Sequence, residues 1–145
     1  MDGEKRFEFL DHMADAYIAA YGKDLAEAFE NAALAMFETM TDTACVKKEV
    51  EESVEIMGQD KESLLYNWLE DLLIRFEVTG MLYSVFKVES IERWKEGYRL
   101  KARIYGEPFN PEVHKQKVGI KAVTYHRMEI EESPGRTTVK FLLDL

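Results

Sequence analysis

The chain has 145 residues, of which 46% are hydrophobic and 12% aromatic, so it can bury a core and is not a disordered segment. We expect residues 1–145 to form one domain. The formal net charge of −9 argues against stable direct binding to nucleic acid and favours a metal ion or a basic protein as partner. No apolar run approaches the roughly 20 residues that cross a bilayer, and no secretory signal pattern is present, so we expect no membrane association and a cytoplasmic location.

The beginning of the chain predicts a short strand and then a helix. Residues 7–10 are mostly apolar, and the polar segment 11–15 follows them. Asp24 can cap a helix, with Glu27 three residues later, in a variant of the capping box. Apolar residues then recur at helical spacing over residues 25–40, which predicts an amphipathic helix.

A second strand and a second helix are predicted in the middle of the chain. Residues 50–56 alternate between apolar and acidic side chains, as in a half-buried strand with an acidic outer face. The second helix begins near Asp60, carries an apolar stripe over residues 64–76 and stops at Gly80.

The remainder predicts four antiparallel strands. Residues 82–92 and 98–105 are joined by a turn at 95–97, and residues 119–132 and 136–145 by a turn at 133–135. Arg99, Lys101 and Arg103 alternate along one of these strands, which is typical of a solvated face but leaves a basic patch as an alternative. The order of elements predicts an α+β fold with two helices packed on a mostly antiparallel β-sheet.

Acidic residues stand near both ends of the chain. Asp15 follows the first predicted strand, and Asp144 precedes the terminal Leu145. If the first and last strands are neighbours, Asp15, Asp144 and the Leu145 carboxylate converge, and an all-oxygen cluster of this kind suits a hard divalent cation. The alternative is that Asp15 caps a turn and Asp144 lies on a solvated edge.

Familiar catalytic motifs are missing. The sequence contains no glycine-rich phosphate loop, no nucleophile elbow and no paired-histidine metal motif. Asp11, His12 and His126 are candidates to surround the acidic site or to face a partner. A histidine within a predicted strand, such as His126, is more often a structural residue than a ligand. No nucleophile with an adjacent base can be identified, which weakens any claim of enzyme activity.

Several segments together resemble the archease family over essentially the whole chain. The family usually reads DHTAD followed by Ile-Gly, whereas this chain has Met13 and then Ala16 and Tyr17, with both acids retained. The segments that carry the resemblance are 11–15 (DHMAD), 20–23 (AYGK), 27–33 (EAFENAA), 40–42 (MTD), 64–69 (LLYNWL), 106–108 (GEP) and 121–126 (KAVTYH).

The resemblance implies an accessory protein with no free-standing enzyme activity. Archeases activate the RtcB-type RNA ligase of tRNA splicing by promoting the guanylylation of the ligase and its multiple turnover. The family's metal site corresponds to Asp15, Asp144 and the terminal Leu145. Calcium is the first expectation for the cation, with magnesium and manganese as alternatives.

Two other functions remain open at the level of the sequence. One is a small metal-dependent phosphoester hydrolase, with Asp15, Asp144 and His12 or His126 as ligands. The other is a chaperone-like adaptor for nucleic-acid enzymes.

Overall fold

The computed structural model describes residues 5–10 and 15–145. In this part of the chain there are seven strands, two α-helices and one short 3-10 helix, Thr43–Cys45. The α-helices are α1 (Leu25–Met40) and α2 (Lys61–Thr79). The strands are β1 (Phe7–Phe9), β2 (Asp15–Gly22), β3 (Val50–Gly58), β4 (Met81–Trp94), β5 (Gly97–Pro108), β6 (Ala122–Ser133) and β7 (Arg136–Asp144).

Both helices begin and end as the sequence predicts. The Asp24 side chain accepts a hydrogen bond from the Glu27 backbone N–H at 2.9 Å, which satisfies one of the unpaired donors at the start of α1. Asp60 and Ser63 form a reciprocal capping box at the start of α2. Gly80 ends α2 with a φ of +77°, a left-handed conformation that glycine adopts without steric cost.

The α+β class is confirmed, but the strands divide between two antiparallel sheets instead of forming one. The first sheet has the order β1-β2-β7-β6, and the second has the order β3-β5-β4. The two predicted hairpins, β4–β5 and β6–β7, both form and fall in different sheets. The long segment 109–121 separates them, so β5 and β6 do not pair.

The two helices join the sheets into one core. Helix α1 packs on β2 and β4, and α2 packs on β3 and β6, so each helix contacts both sheets. The indole N–H of Trp68 in α2 donates to the backbone carbonyl of Phe29 in α1 at 3.0 Å. The Phe37 ring lies with its centroid 5.6 Å from those of Tyr83 and Phe86 on β4.

Some boundaries differ from the predicted ones. Strand β2 is an additional strand, because the sequence predicts only the polar segment 11–15 between the first strand and α1. Strand β5 continues to Pro108, and β6 starts at Ala122 and not at residue 119. Neither α1 nor α2, within the described ranges, is long and apolar enough to span a membrane.

Candidate metal site

The two predicted acids lie opposite each other at one end of the first sheet. Strands β2 and β7 are antiparallel, and Asp15 at the start of β2 is the register partner of Asp144 at the end of β7. Directly opposed residues of an antiparallel pair have Cβ atoms about 4.5–5.5 Å apart. Because side chains alternate along a strand and Ala16 and Leu143 belong to the core, both aspartates point to the outer face of the sheet.

No basic side chain neutralises this pair in the part of the chain that the structure describes. The ion pairs found there leave out both Asp15 and Asp144. Asp15 is half-buried and Asp144 is exposed. Like charges directly opposite each other destabilise a strand pair, so a cation between the carboxylates would stabilise this end of the sheet.

The donor chemistry at this position fits a hard cation. All side-chain donors of the pair are carboxylate oxygens, the ligands that calcium and magnesium prefer. Within residues 5–10 and 15–145, no group of three or more His, Cys, Asp or Glu side chains is placed to hold a metal. The third ligand that the sequence predicts is the terminal carboxylate of Leu145, which directly follows Asp144.

Of the remaining candidate residues, the structure describes only His126. Asp11 and His12 lie outside the described residues. His126 is exposed on β6 and shares no hydrogen bond with Asp15 or Asp144 in the described ranges. Its backbone N–H donates to Thr124 Oγ1 at 3.3 Å. The structure therefore places Asp15 and Asp144 opposite each other, and the role of His126 stays a prediction.

His126 lies in a bulge of β6. Residues 125–128 form this bulge, because the register with β7 jumps from Thr124 to Glu129. Arg127 in this bulge has a φ of +62°, which is strained for a residue with a side chain. The Tyr17 hydroxyl donates to the Arg127 carbonyl at 3.1 Å, and the Arg127 guanidinium lies 3.9 Å from the Tyr17 ring centroid. Tyr17 lies two residues after Asp15 on the same face of β2. Strand β2 therefore carries one acid of the pair and contacts the bulge through Tyr17.

A buried histidine that the sequence did not single out secures the loop leading to β6. The His114 side chain is 1% exposed; its Nδ1 accepts from the Asn110 backbone N–H at 2.9 Å, so its Nε2–H donates to Glu107 at 2.8 Å. A backbone N–H bond from Lys47, and then the bond from His114, lower the pKa of Glu107. The loop ends where the Lys121 N–H donates to the Asp144 carbonyl at 2.7 Å. The network therefore supports the strand end that carries the acid.

Both arginines of the predicted basic stripe on β5 are paired with glutamates, whereas Lys101 forms no ion pair in the described ranges. Arg99 pairs with Glu92 at 2.6 Å and with Glu55 at 3.5 Å. Arg103 pairs with Glu51 at 2.7 Å and also with Glu89 on β4. The alternative of a functional basic patch on this face is therefore not supported.

Comparison with known proteins decides the family. The family model of the Archease protein family matches residues 7–145. The chain belongs to the archease family. It is 47% identical to the archease of Sulfolobus acidocaldarius, over 97% of this chain and 99% of that protein. It is 44% identical to the archease of Pyrococcus abyssi, with the same coverage.

Two solved archease-family structures share the fold. The solution structure of Methanobacterium thermoautotrophicum protein 1598 is 46% identical, has a TM-score of 0.84 and covers 97% of this chain and 99% of its own. The crystal structure of a Thermotoga maritima archease, described as a possible chaperone, is 18% identical with a TM-score of 0.61, covering 95% of this chain and 96% of its own. The second likeness bears on the fold alone.

Proposed function

We propose that this protein activates an RtcB-type RNA ligase, promoting the ligase's guanylylation and multiple turnover, with a divalent cation held by Asp15, Asp144 and the Leu145 carboxylate. Membership of the archease family supports the activator role. The observation that carries the cation is the opposition of Asp15 and Asp144 on neighbouring strands, with no basic partner in the described ranges.

Each residue of this site has a distinct part in the proposal. Asp15 and Asp144 supply oxygen ligands from two strands whose register fixes their separation. Leu145 is packed against the core by its side chain, so its carboxylate is held close to Asp144. When bound, the cation supplies positive charge at an acidic surface that faces an anionic cofactor in the ligase. The net charge of −9 favours association with a ligase that is basic for RNA binding.

The decisive experiment follows transfer of radiolabel from GTP to the ligase. Limiting amounts of wild-type protein should accelerate formation of the ligase–guanylate and permit many rounds of RNA sealing. Asp15→Asn and Asp144→Asn should lose most of this acceleration, because each removes a charged ligand while preserving side-chain shape. Glu112→Gln is the matched control, since it removes one negative charge from an exposed loop position and should behave as wild type.

Cation binding is measured separately. Calorimetric titration with calcium, magnesium and manganese should give the tightest binding for calcium, with affinity about tenfold or more weaker in either aspartate variant. Calcium should also raise the melting temperature of wild type and leave that of Asp144→Asn unchanged. Residues appended after Leu145 should weaken cation affinity and ligase activation together.

Other outcomes would identify the alternatives. Unchanged cation affinity in both aspartate variants would remove the site. Phosphoester turnover by the purified protein alone would favour the hydrolase. Stabilisation of unrelated client enzymes without any cation would favour the adaptor. Absence of any acceleration by wild type with the ligase of its own organism would contradict the activator proposal.

A further inference from the structure

A second polar site lies at the other end of β2. A cleft of about 630 Å³ is enclosed by the start of β1, the turn between β2 and α1, and the turn between β6 and β7. This volume is in the usual range for sites that bind small molecules. Strand β2 runs from Asp15 to Gly22, so the cleft is about 23 Å along the strand from the acidic pair.

The acidic side chains of the cleft are occupied by bonds within the protein. Glu8 accepts from the Tyr21 hydroxyl at 2.7 Å. Glu27 accepts at 2.7 Å from the backbone N–H that precedes the cap of α1. Glu30 accepts at 2.8 Å from a backbone N–H of β4. These carboxylates therefore serve as internal acceptors and keep their charge, and that of Glu8 is paired with Lys5 at 3.1 Å.

Three basic side chains of the cleft are not occupied in this way. Arg6, Lys23 and Arg136 line it and form no ion pair within residues 5–10 and 15–145. The Arg136 guanidinium lies 4.8 Å from the centroid of the Tyr21 ring, which orients its plane. By contrast, Lys5, which also lines the cleft, pairs with Glu8 at 3.1 Å.

The local backbone fixes the positions of two of these cations. Lys23 follows Gly22, where an added Cβ would lie 2.4 Å from the backbone nitrogen of Ala28. Only glycine therefore lets the β2–α1 turn approach the helix so closely. Arg136 follows Gly135, whose φ of +80° closes the β6–β7 turn. The two side chains are thus delivered to the cleft by tight turns and not by long loops.

We propose that this basic cleft, defined by Arg6, Lys23 and Arg136, binds a diphosphate group. Two guanidinium groups offer forked N–H donors that match phosphate oxygens, and the ammonium group adds a third positive charge. A diphosphate offers oxygens on two phosphorus atoms and can accept from all three side chains at once, whereas a carboxylate or one phosphate has fewer oxygens and a shorter reach. The volume leaves room for an organic part beyond the diphosphate, so the source is either free pyrophosphate or a small organic diphosphate.

The experiment is a calorimetric titration of the full chain at low ionic strength, in the presence of EDTA. The ligands are inorganic pyrophosphate, adenosine diphosphate, adenosine monophosphate and inorganic phosphate. Pyrophosphate and the nucleoside diphosphate should bind, and the two monophosphate ligands should bind about tenfold more weakly or not at all. Tighter binding of the nucleoside diphosphate than of pyrophosphate identifies an organic source, and the reverse identifies an inorganic one.

Single-residue variants distinguish a specific binding site from non-specific attraction to positive charge. Lys23→Gln and Arg136→Gln should each weaken pyrophosphate affinity about tenfold, since each removes a charged donor. Lys48→Gln removes the same charge from an exposed position outside the cleft, and its affinity should stay within about twofold of wild type. Far-ultraviolet circular dichroism of every variant confirms that the fold is kept.

Three results would overturn the proposal: no binding of either diphosphate, an equal loss of affinity in Lys48→Gln, or equal competition by a short RNA oligonucleotide without terminal phosphates. Asp144→Asn should bind pyrophosphate as wild type does, because the acidic pair lies at the far end of β2. The cleft and the proposed activator function can therefore fail independently.

Discussion

Glu30 accepts a hydrogen bond inside the protein but lowers the stability of the fold at neutral pH. It is half-buried between α1 and β4 and accepts the Val88 N–H at 2.8 Å. Burial raises its pKa, the bond from Val88 opposes that rise, and the nearby charges of Glu27 and Asp24 add to it. The folded protein therefore holds a proton on Glu30 at pH values where the unfolded chain, with a pKa of about 4.3, has lost it.

The sign of the resulting pH dependence follows directly. Because the folded state binds more protons over this interval, the free energy of unfolding falls as pH rises through it, and ionised Glu30 destabilises the fold at neutral pH. Glu30→Gln keeps a carbonyl acceptor for Val88 and removes the charge. We expect it to raise the free energy of unfolding at pH 7, with a gain that shrinks as pH falls through the raised pKa of Glu30 and is small below about pH 4.

Urea unfolding at several pH values measures this gain. Glu77→Gln, an exposed position on α2, is the matched control for the change in net charge. A gain for Glu30→Gln that is independent of pH, or equal in the control, would contradict the assignment.

At the level of single residues, the sequence predicts what depends on local chemistry. The cap Asp24 was predicted because a side-chain oxygen reaches a backbone N–H three residues away. The start of α2 was predicted near Asp60, and the structure shows that Asp60 is its cap. His114 was not, because its partner Glu107 lies seven residues away across a loop and its burial depends on the tertiary fold. The opposition of Asp15 and Asp144 was predicted only on the condition that the end strands are neighbours. In the structure the predicted first strand, β1, pairs with β2 and not with β7. The two acids meet instead because β2, which the sequence did not predict, is the neighbour of β7.

At the level of elements, the β4–β5 hairpin shows that a correct turn can be predicted for an incomplete reason. The sequence places a turn at residues 95–97, and Gly97 is the expected turn residue. In the structure, Gly97 is already the first residue of β5, paired with Trp94, and the residue with positive φ is Lys95, at +56°. Gly97 is needed because an added Cβ would lie 2.2 Å from the carbonyl oxygen of Gly58.

This geometry yields a stability prediction for the hairpin. Lys95→Gly removes the clash of a Cβ with the left-handed backbone and should stabilise the protein by about 1 kcal/mol. It gives up a weak contact in which the Lys95 ammonium lies 5.8 Å from the Trp94 ring centroid. Thermal unfolding should show a melting temperature higher by about 2–5 °C.

The neighbouring loop position provides the control for that change. Glu96 is not among the residues with positive φ, so Glu96→Gly adds flexibility to the unfolded chain without relieving strain. It should lower stability by about 0.5–1 kcal/mol. If both glycine variants shift the melting temperature in the same direction, the strain at Lys95 is not the cause.

At the level of the whole molecule, the sequence predicts the types of the elements better than their partners. Periodicity identifies α1, α2 and both late hairpins, because it reflects which face of each element is buried. It does not indicate that β7 pairs with β2 while β5 pairs with β3, since those contacts join segments far apart in the chain. The division into two sheets therefore became visible only in the structure.

The same core that joins the two sheets predicts cooperative unfolding of residues 1–145 as one domain. A single buried cluster includes residues from both sheets and both helices, and Trp68 links α2 to α1 through the Phe29 carbonyl.

Trp94, the other tryptophan, is 37% exposed at the hairpin. In Trp94→Phe, fluorescence therefore reports on the environment of Trp68 alone. Urea transitions followed by this fluorescence and by far-ultraviolet circular dichroism should coincide, since neither sheet can lose the helices without exposing the common core. Two separated midpoints would show instead that the sheets unfold as independent units.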